Sequence, residues 1–167
     1  MIQDLVGKSG LIVSGTSGVG KAVARLLLQR GAMSVTVLGK NAAKLRSAED
    51  ELGSFGNVIA CNADITDGVQ LARLMEESGG KFAKMDLLVN AAGVFIPKPY
   101  LEQTMEDYDR YLELNKGIFL ITQHVARGMV ERLAVEPLST SGRCGPNEQL
   151  AQRHLLPIRW PKQASIH

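Results

Sequence analysis

Two cysteines in 167 residues, Cys61 and Cys144, are too few for a disulfide framework, and no C-x-x-C pair offers a zinc or redox site. No stretch approaches the roughly 20 apolar residues that a membrane span needs. The opening "MIQDLVGKSG" lacks the basic head and long apolar core of a secretory signal. The formal charge is only +2, and the basic residues are scattered rather than gathered in a block. Neither nucleic acid nor a membrane is therefore expected as a partner, and no metal site is expected. With 45% apolar and 22% charged residues, the composition is that of an ordinary globular domain with a proper core. A cytoplasmic protein is expected by default.

Strand-like and helix-like segments alternate through the first 130 or so residues. "LIV" (11–13), "SVTVL" (34–38), "NVIAC" (57–61) and "MDLLVN" (85–90) are short apolar or β-branched runs that predict strands. Between them, 21–31, 41–53 and 67–78 carry apolar residues at helical spacing, with Asn41 as an N-cap and Gly31 and Gly53 as stops. Residues 104–132 predict one long helix opened by Thr104, with Glu106 and Asp107 in its first turn. On that helix Leu120, Ile121 and Met129 are expected to face the core. Tyr108 and Tyr111 are expected to pack rather than react, and His124 to be structural. Near-continuous apolar strands alternating with helices predict an α/β fold with a parallel sheet covered on both faces.

Residues 14–22, "SGTSGVGKA", follow the first strand and open the first helix. Gly15, Gly20 and Lys21 fit G-x-x-x-x-G-K, a loop that cradles nucleoside triphosphates. That loop needs a hydroxyl after the lysine to bind magnesium, and Ala22 stands there. The alternative is a dinucleotide turn, in which Gly18 and Gly20 let the backbone approach a pyrophosphate at the helix N-terminus. About 20 residues on, where an acidic side chain would take a ribose 2′-hydroxyl, stand Gly39 and Lys40. Lys40 would attract a 2′-phosphate, so NADP is favoured over NAD.

The chain resembles the short-chain dehydrogenase/reductase family across nearly all of residues 5–132. "VSGTSGVGKAVARLLLQRGA" (13–32) is similar to its glycine-rich turn and first helix, with Ser14, Gly15, Thr16, Ser17, Gly18, Val19 and Gly20 as coenzyme contacts. The family's threonine and first glycine fall on Val13 and Ser14, so Ser14 puts a Cβ where the backbone bends. "NADITD" (62–67) resembles the segment in which Asp64 binds the adenine amino group and Ile65 packs on the ring. "LVNAAGV" (88–94) is similar to N-N-A-G, with Asn90, Ala91, Ala92 and Gly93 stabilising the sheet and passing the coenzyme's ribose. "LNKGIFLITQ" (114–123) resembles the segment that carries the family's catalytic asparagine, here Asn115.

The resemblance implies a Rossmann-like doubly wound sheet, here incomplete, with about four strands in the order 3-2-1-4. It implies hydride transfer between NADPH and a small carbonyl or alcohol, in proteins that are commonly homo-oligomeric. The family's acid–base machinery is a serine followed by Y-x-x-x-K. Four residues after Tyr100, Tyr108 and Tyr111 come Thr104, Leu112 and Asn115, and no tyrosine follows. Only Asn115 of the tetrad remains.

Residues 1–132 are therefore expected to be a partial dinucleotide-binding domain, and 133–167 an irregular tail. Back-translating 134–167 and shifting the frame by one base permits a string containing a serine and Y-S-M-A-K, its lysine on the Lys162 codon. An out-of-frame tail is the expectation, with a truncated chain that binds adenine nucleotide weakly, lacks turnover, and is monomeric or aggregates. The alternatives are a non-catalytic nucleotide-binding or dimerisation module, and, more remotely, a P-loop protein. "GVFIPKPYLEQT" (93–104) is expected to line one wall of the substrate site, with Phe95 and Ile96 suiting an apolar substrate.

Overall fold

The computed structural model describes residues 4–78 and 80–135. Four strands, β1 (Ser9–Val13), β2 (Ser34–Gly39), β3 (Val58–Asn62) and β4 (Leu87–Asn90), form one parallel sheet in the order β3-β2-β1-β4. Four helices follow them: α1 (Gly18–Gln29), α2 (Ala42–Gly53), α3 (Gly68–Glu77) and α4 (Met105–Val135). The predicted fold class and strand order are both found. Most of the predicted tail lies outside the described residues, except that α4 continues three residues past 132.

Every residue of β1 is buried, because its alternating side chains serve two cores. Leu11 and Val13 join Leu38, Ile65, Leu71, Phe82, Ile121 and Val125 on the α3–α4 side of the sheet. Ile12 joins Ala24, Leu28, Val35, Val37, Leu45 and Leu52 on the α1–α2 side. The outer strands are less covered: β4 pairs only with β1 among the described residues, which leaves it at the edge of the sheet. Two polar contacts fix the start of β1: Ser9 N–H donates to Asp86 Oδ2 at 2.8 Å, and the buried hydroxyls of Ser34 and Ser9 meet at 3.1 Å.

Helix ends follow the sequence signals with one exception. Asn41 Oδ1 accepts from Lys44 N at 2.9 Å, and Asp67 Oδ1 accepts from Val69 N and Gln70 N, capping α2 and α3. Gly31, at φ 87°, closes α1 as its reversed backbone requires, with Ala32 N–H donating to Leu27 O and Gly31 N–H to Leu28 O. Gly53 is not a stop in that sense: it is the last helical residue, and Ser54 after it keeps a right-handed helical backbone.

Helix α4 opens on a reciprocal cap. Thr104 N–H and Oγ1 both donate to Asp107 Oδ2 at 3.0 Å, and Asp107 N–H donates back to Thr104 Oγ1. Two glycines then set how closely the helix lies on the domain. A Cβ on Gly117 would fall 2.2 Å from the carbonyl oxygen of Ile65, and one on Gly128 would fall 2.1 Å from that of Ala83. They stand eleven residues apart, about three turns, and so share one face. At the far end Arg132 donates to the carbonyls of Ala83 and Met85. Ile121 and Val125 are fully buried, as the helical spacing requires, and Leu120 and Met129 pack at the core's margin. Tyr108 does not pack as expected. It points outward and is 55% exposed, because the face next to the Thr104 cap turns to solvent.

Candidate coenzyme-binding site

The strand order reverses at β1, which runs to β2 on one side and β4 on the other, and a crevice opens beyond the carboxyl ends of the strands at such a point. All four strand ends contribute to a cleft of about 690 Å³. β1 supplies Val13, with Ser14 just after it, and β2 supplies Leu38 and Gly39, with Lys40 just after it. The segments after β3 and β4 supply Ala63 to Thr66 and Ala92 to Val94. Asn41 and Lys44 of the α2 start, Thr16 and Ser17 of the turn, and Arg110, Glu113 and Leu114 of α4 complete the wall.

The turn between β1 and α1 is held by backbone bonds. Ser14 N–H and Gly15 N–H both donate to Leu38 O, at 2.8 and 3.3 Å. Ser14 adopts φ 64°, the only left-handed non-glycine among the described residues, at the bend where the family resemblance leads one to expect a glycine. Gly18 also has positive φ, 55°, and a Cβ there would meet nothing within 4 Å. Gly20 is needed for closeness: a Cβ would lie 2.3 Å from Ser14 O and 3.1 Å from Ala91 Cβ. Gly15 is a packing glycine, with Val37 and Ile12 side chains where its Cβ would sit.

No side chain caps α1, although Ser17 occupies the N-cap position. The α2 and α3 starts are both capped. The first amides of α1 therefore keep their donor capacity where the cleft begins, with the helix's positive end behind them.

Lys21 does not belong to this surface. Its Nζ is 2.7 Å from Glu51 Oε2 on α2, and that bond holds the Glu51 carboxyl below its ordinary range. A triphosphate loop would aim that lysine at the phosphates. The magnesium-nucleotide alternative thus loses its lysine to a structural ion pair, in addition to its hydroxyl.

At the end of the cleft formed by β2 and β3, Asp64 Oδ1 accepts from Thr66 N–H at 3.0 Å and Thr66 Oγ1 at 2.7 Å, and Oδ2 lies 3.4 Å from Lys40 Nζ. Burial works to raise the Asp64 carboxyl. The Thr66 hydrogen bonds and the Lys40 charge outweigh it and hold the group below its ordinary value. Ile65 is buried against the α3–α4 core and also borders the cleft. Lys44, a lysine the sequence did not single out, stands in the same wall, and no ion pair to it is found among the described residues. Its signal was present: it follows the N-cap Asn41 by three residues, so the first turn of α2 carries it.

Ala91 N–H donates to Val13 O at 3.0 Å, extending the β1–β4 ladder, and Asn90 Nδ2 donates to Thr122 Oγ1 of α4 at 3.1 Å. Of the predicted N-N-A-G stretch, Ala92 and Gly93 reach the cleft, and Asn90 and Ala91 brace it. Asn115 is not a lining residue. It is exposed and donates back to Tyr111 O at 2.8 Å within α4. Tyr111 is used structurally, its hydroxyl accepting from Ile96 N–H at 3.0 Å. Lys98 Nζ lies 2.8 Å from Asp107 Oδ2, and that bond, with those from Thr104, holds the Asp107 carboxyl down at about 2. Phe95 is 84% exposed.

His124 lies outside this cleft, in a groove of about 500 Å³ between α3 and α4. Its Nε2 is buried without a hydrogen-bond partner among the described residues. Burial raises the Cys61 thiol, which leaves it a poor nucleophile.

The short chain dehydrogenase family profile matches residues 8–141. The chain belongs to the short-chain dehydrogenase family. It is 35% identical over 124 residues to a hydroxynaphthalene reductase-like protein Arp2 of Metarhizium brunneum, covering 73% of this chain and 46% of that protein. A sorbitol dehydrogenase of Cereibacter sphaeroides is 34% identical over 127 residues, with 75% and 48% covered. Among solved structures, a short-chain type dehydrogenase/reductase from Mycobacterium marinum is similar with a TM-score of 0.69 at 29% identity, over 78% of this chain and 53% of that one. A Serratia marcescens short-chain dehydrogenase/reductase gives 0.66 at 30% identity, over 74% and 51%. The chain spans about half the length of these relatives. Among the described residues, no helix is long and apolar enough to cross a membrane.

Proposed function

We propose that this chain binds a nicotinamide coenzyme, NADP in preference to NAD, with the diphosphate on the α1 N-terminus and the adenosine in the cleft. The observation that carries this reading is the uncapped start of α1, opening onto a crevice built from the ends of all four strands. The residues fit the group. Gly18 leaves open space, Gly20 lets the helix close on the turn, and Lys40 and Lys44 supply positive charge beside the β2 end. When bound, such a coenzyme supplies or accepts a hydride, and the substrate class is a small carbonyl or alcohol.

The chain's own residues supply binding but not proton transfer. No tyrosine in this sequence has a lysine four residues on, and Asn115 is the residue that the resemblance assigns to the tetrad. Loss of general acid–base catalysis alone costs about 10²–10⁴-fold, and lost substrate positioning adds to it. The reading is therefore of a protein that holds the coenzyme weakly and does not turn over. Residues 133–167 fit an out-of-frame translation, and the coding DNA tests this: third bases incompatible with Y-S-M-A-K in the shifted frame would refute it.

Fluorescence titration with NADPH, NADH and ATP tests the binding. Saturable NADPH binding that exceeds NADH, with no carbonyl reduction, is expected. ATP binding that requires magnesium, or measurable turnover by the purified chain, would refute the reading.

A further inference from the structure

Lys40 and Asp64 each have a natural use toward a 2′-phosphorylated coenzyme, yet in this structure they are used on each other. Lys40 Nζ lies 3.4 Å from Asp64 Oδ2 across the adenosine end of the cleft. Asp64 Oδ1 is already engaged by the Thr66 amide and hydroxyl, at 3.0 and 2.7 Å. Oδ2 is thus the oxygen left to accept from an exocyclic amino group, and the ammonium sits on it.

The two partners differ in freedom. The Lys40 side chain is 71% exposed at the end of β2, on a flexible stem, whereas that of Asp64 is 27% exposed and pinned by the Thr66 turn. Lys40 is therefore the partner that moves. An adenosine with a free 2′-hydroxyl offers no anion to draw it away.

We propose that the cleft recognises a 2′-phosphate by exchanging an ion pair: Lys40 leaves Asp64 for the phosphate, and Asp64 Oδ2 is thereby released to accept from the adenine amino group. The exchange rests on the coenzyme reading given above. It converts one charge contact into two linked ones, because the phosphate both binds Lys40 and unmasks Asp64. Lys44 in the same wall strengthens the pull on the phosphate. Arg110 competes less, since Glu106 holds its guanidinium at 2.7 Å.

Exchange and simple attraction predict different signs for one substitution. If Lys40 only attracts the phosphate, removing it weakens 2′-phosphorylated ligands and leaves the others unchanged. If it also masks Asp64, removing it strengthens binding of the ligand without the phosphate. The full chain would be titrated with 2′,5′-ADP and with 5′-AMP, following amide shifts by NMR, which also report that each variant is folded. Lys40→Met is expected to weaken 2′,5′-ADP about tenfold, as loss of a charge-assisted bond does at an exposed site. The same variant is expected to tighten 5′-AMP about two- to fivefold, the worth of an exposed ion pair. Lys40→Arg, which preserves the pair, is expected to leave both affinities near those of the unaltered chain. If the unaltered chain binds 2′,5′-ADP but Lys40→Met fails to tighten 5′-AMP, the exchange is refuted while the coenzyme site stands. If the unaltered chain binds neither nucleotide, the coenzyme reading itself falls and takes the exchange with it.

Discussion

Replacing Gly117 with alanine separates two effects of opposite sign. In an ordinary helix interior, Gly→Ala stabilises by roughly 1 kcal/mol, through backbone entropy and propensity. At position 117 the new methyl would sit 2.2 Å from Ile65 O and 3.0 Å from Ile65 C, where real Cβ atoms essentially never come within 3.0 Å. The obstacle is backbone, not the tip of a flexible side chain, so either α4 or the segment after β3 must move by most of an ångström. The rest of α4 resists: Ile121 and Val125 are fully buried, Gly128 lies equally close to Ala83, and Arg132 ties the far end. Overpacking of this kind costs about 1–3 kcal/mol, and a rigid backbone obstacle places it at the upper end, so the net loss expected is about 1–2 kcal/mol after the propensity gain. At roughly 4 °C per kcal/mol for a domain of this size, the thermal midpoint should fall by about 4–8 °C. Gly53→Ala, where a Cβ meets nothing within 4 Å, should instead raise it slightly. Thermal melts followed by circular dichroism at 222 nm read both. A Gly117→Ala midpoint equal to or above that of the unaltered chain would refute the close approach of α4 to Ile65.

Three further outcomes are expected. Ser14→Gly should stabilise the chain by about 0.5–1 kcal/mol in urea unfolding, because it relieves a left-handed backbone at φ 64° while giving back part of the gain as unfolded-state entropy. Asp107, whose carboxyl is held at about 2 by Lys98 and Thr104, should support stability fully above its unfolded pKa near 4, with the support lost as pH falls through 2. Urea midpoints compared at pH 5 and pH 2.5 should therefore fall more for the unaltered chain than for Asp107→Asn. Lys21→Met should cost little stability and leave NADPH binding unchanged, since its ammonium faces Glu51; a large loss of nucleotide affinity would show that Lys21 reaches the phosphates after all.

The sheet was legible because its strands are short β-branched runs with helix signals between them. Asn41 and Gly31 were legible because their chemistry is local: an amide that caps its own helix, and a residue that tolerates positive φ. Lys40 stood out by its spacing from the glycine turn and Asp64 only through the family resemblance, and both line one cleft. What the sequence did not show depends on distant contacts. Gly117 and Gly128 carry no local signal of their role, which lies in the close approach of Ile65 and Ala83. Lys21 fits a phosphate motif until α2 brings Glu51 beside it, and the pairing of Lys40 with Asp64 spans two strand ends that no local pattern links. Tyr108 was expected to pack only because it lies on the long helix, and membership of a helix does not say which face turns inward.

The most direct test is an amide shift map of the full chain titrated with NADP. The account predicts that the largest changes fall on the residues from Ser14 to Gly20, with Lys40, Asp64 and Gly93 following along the cleft. Changes centred instead on the α3–α4 groove around His124, or no saturable change at all, would contradict it.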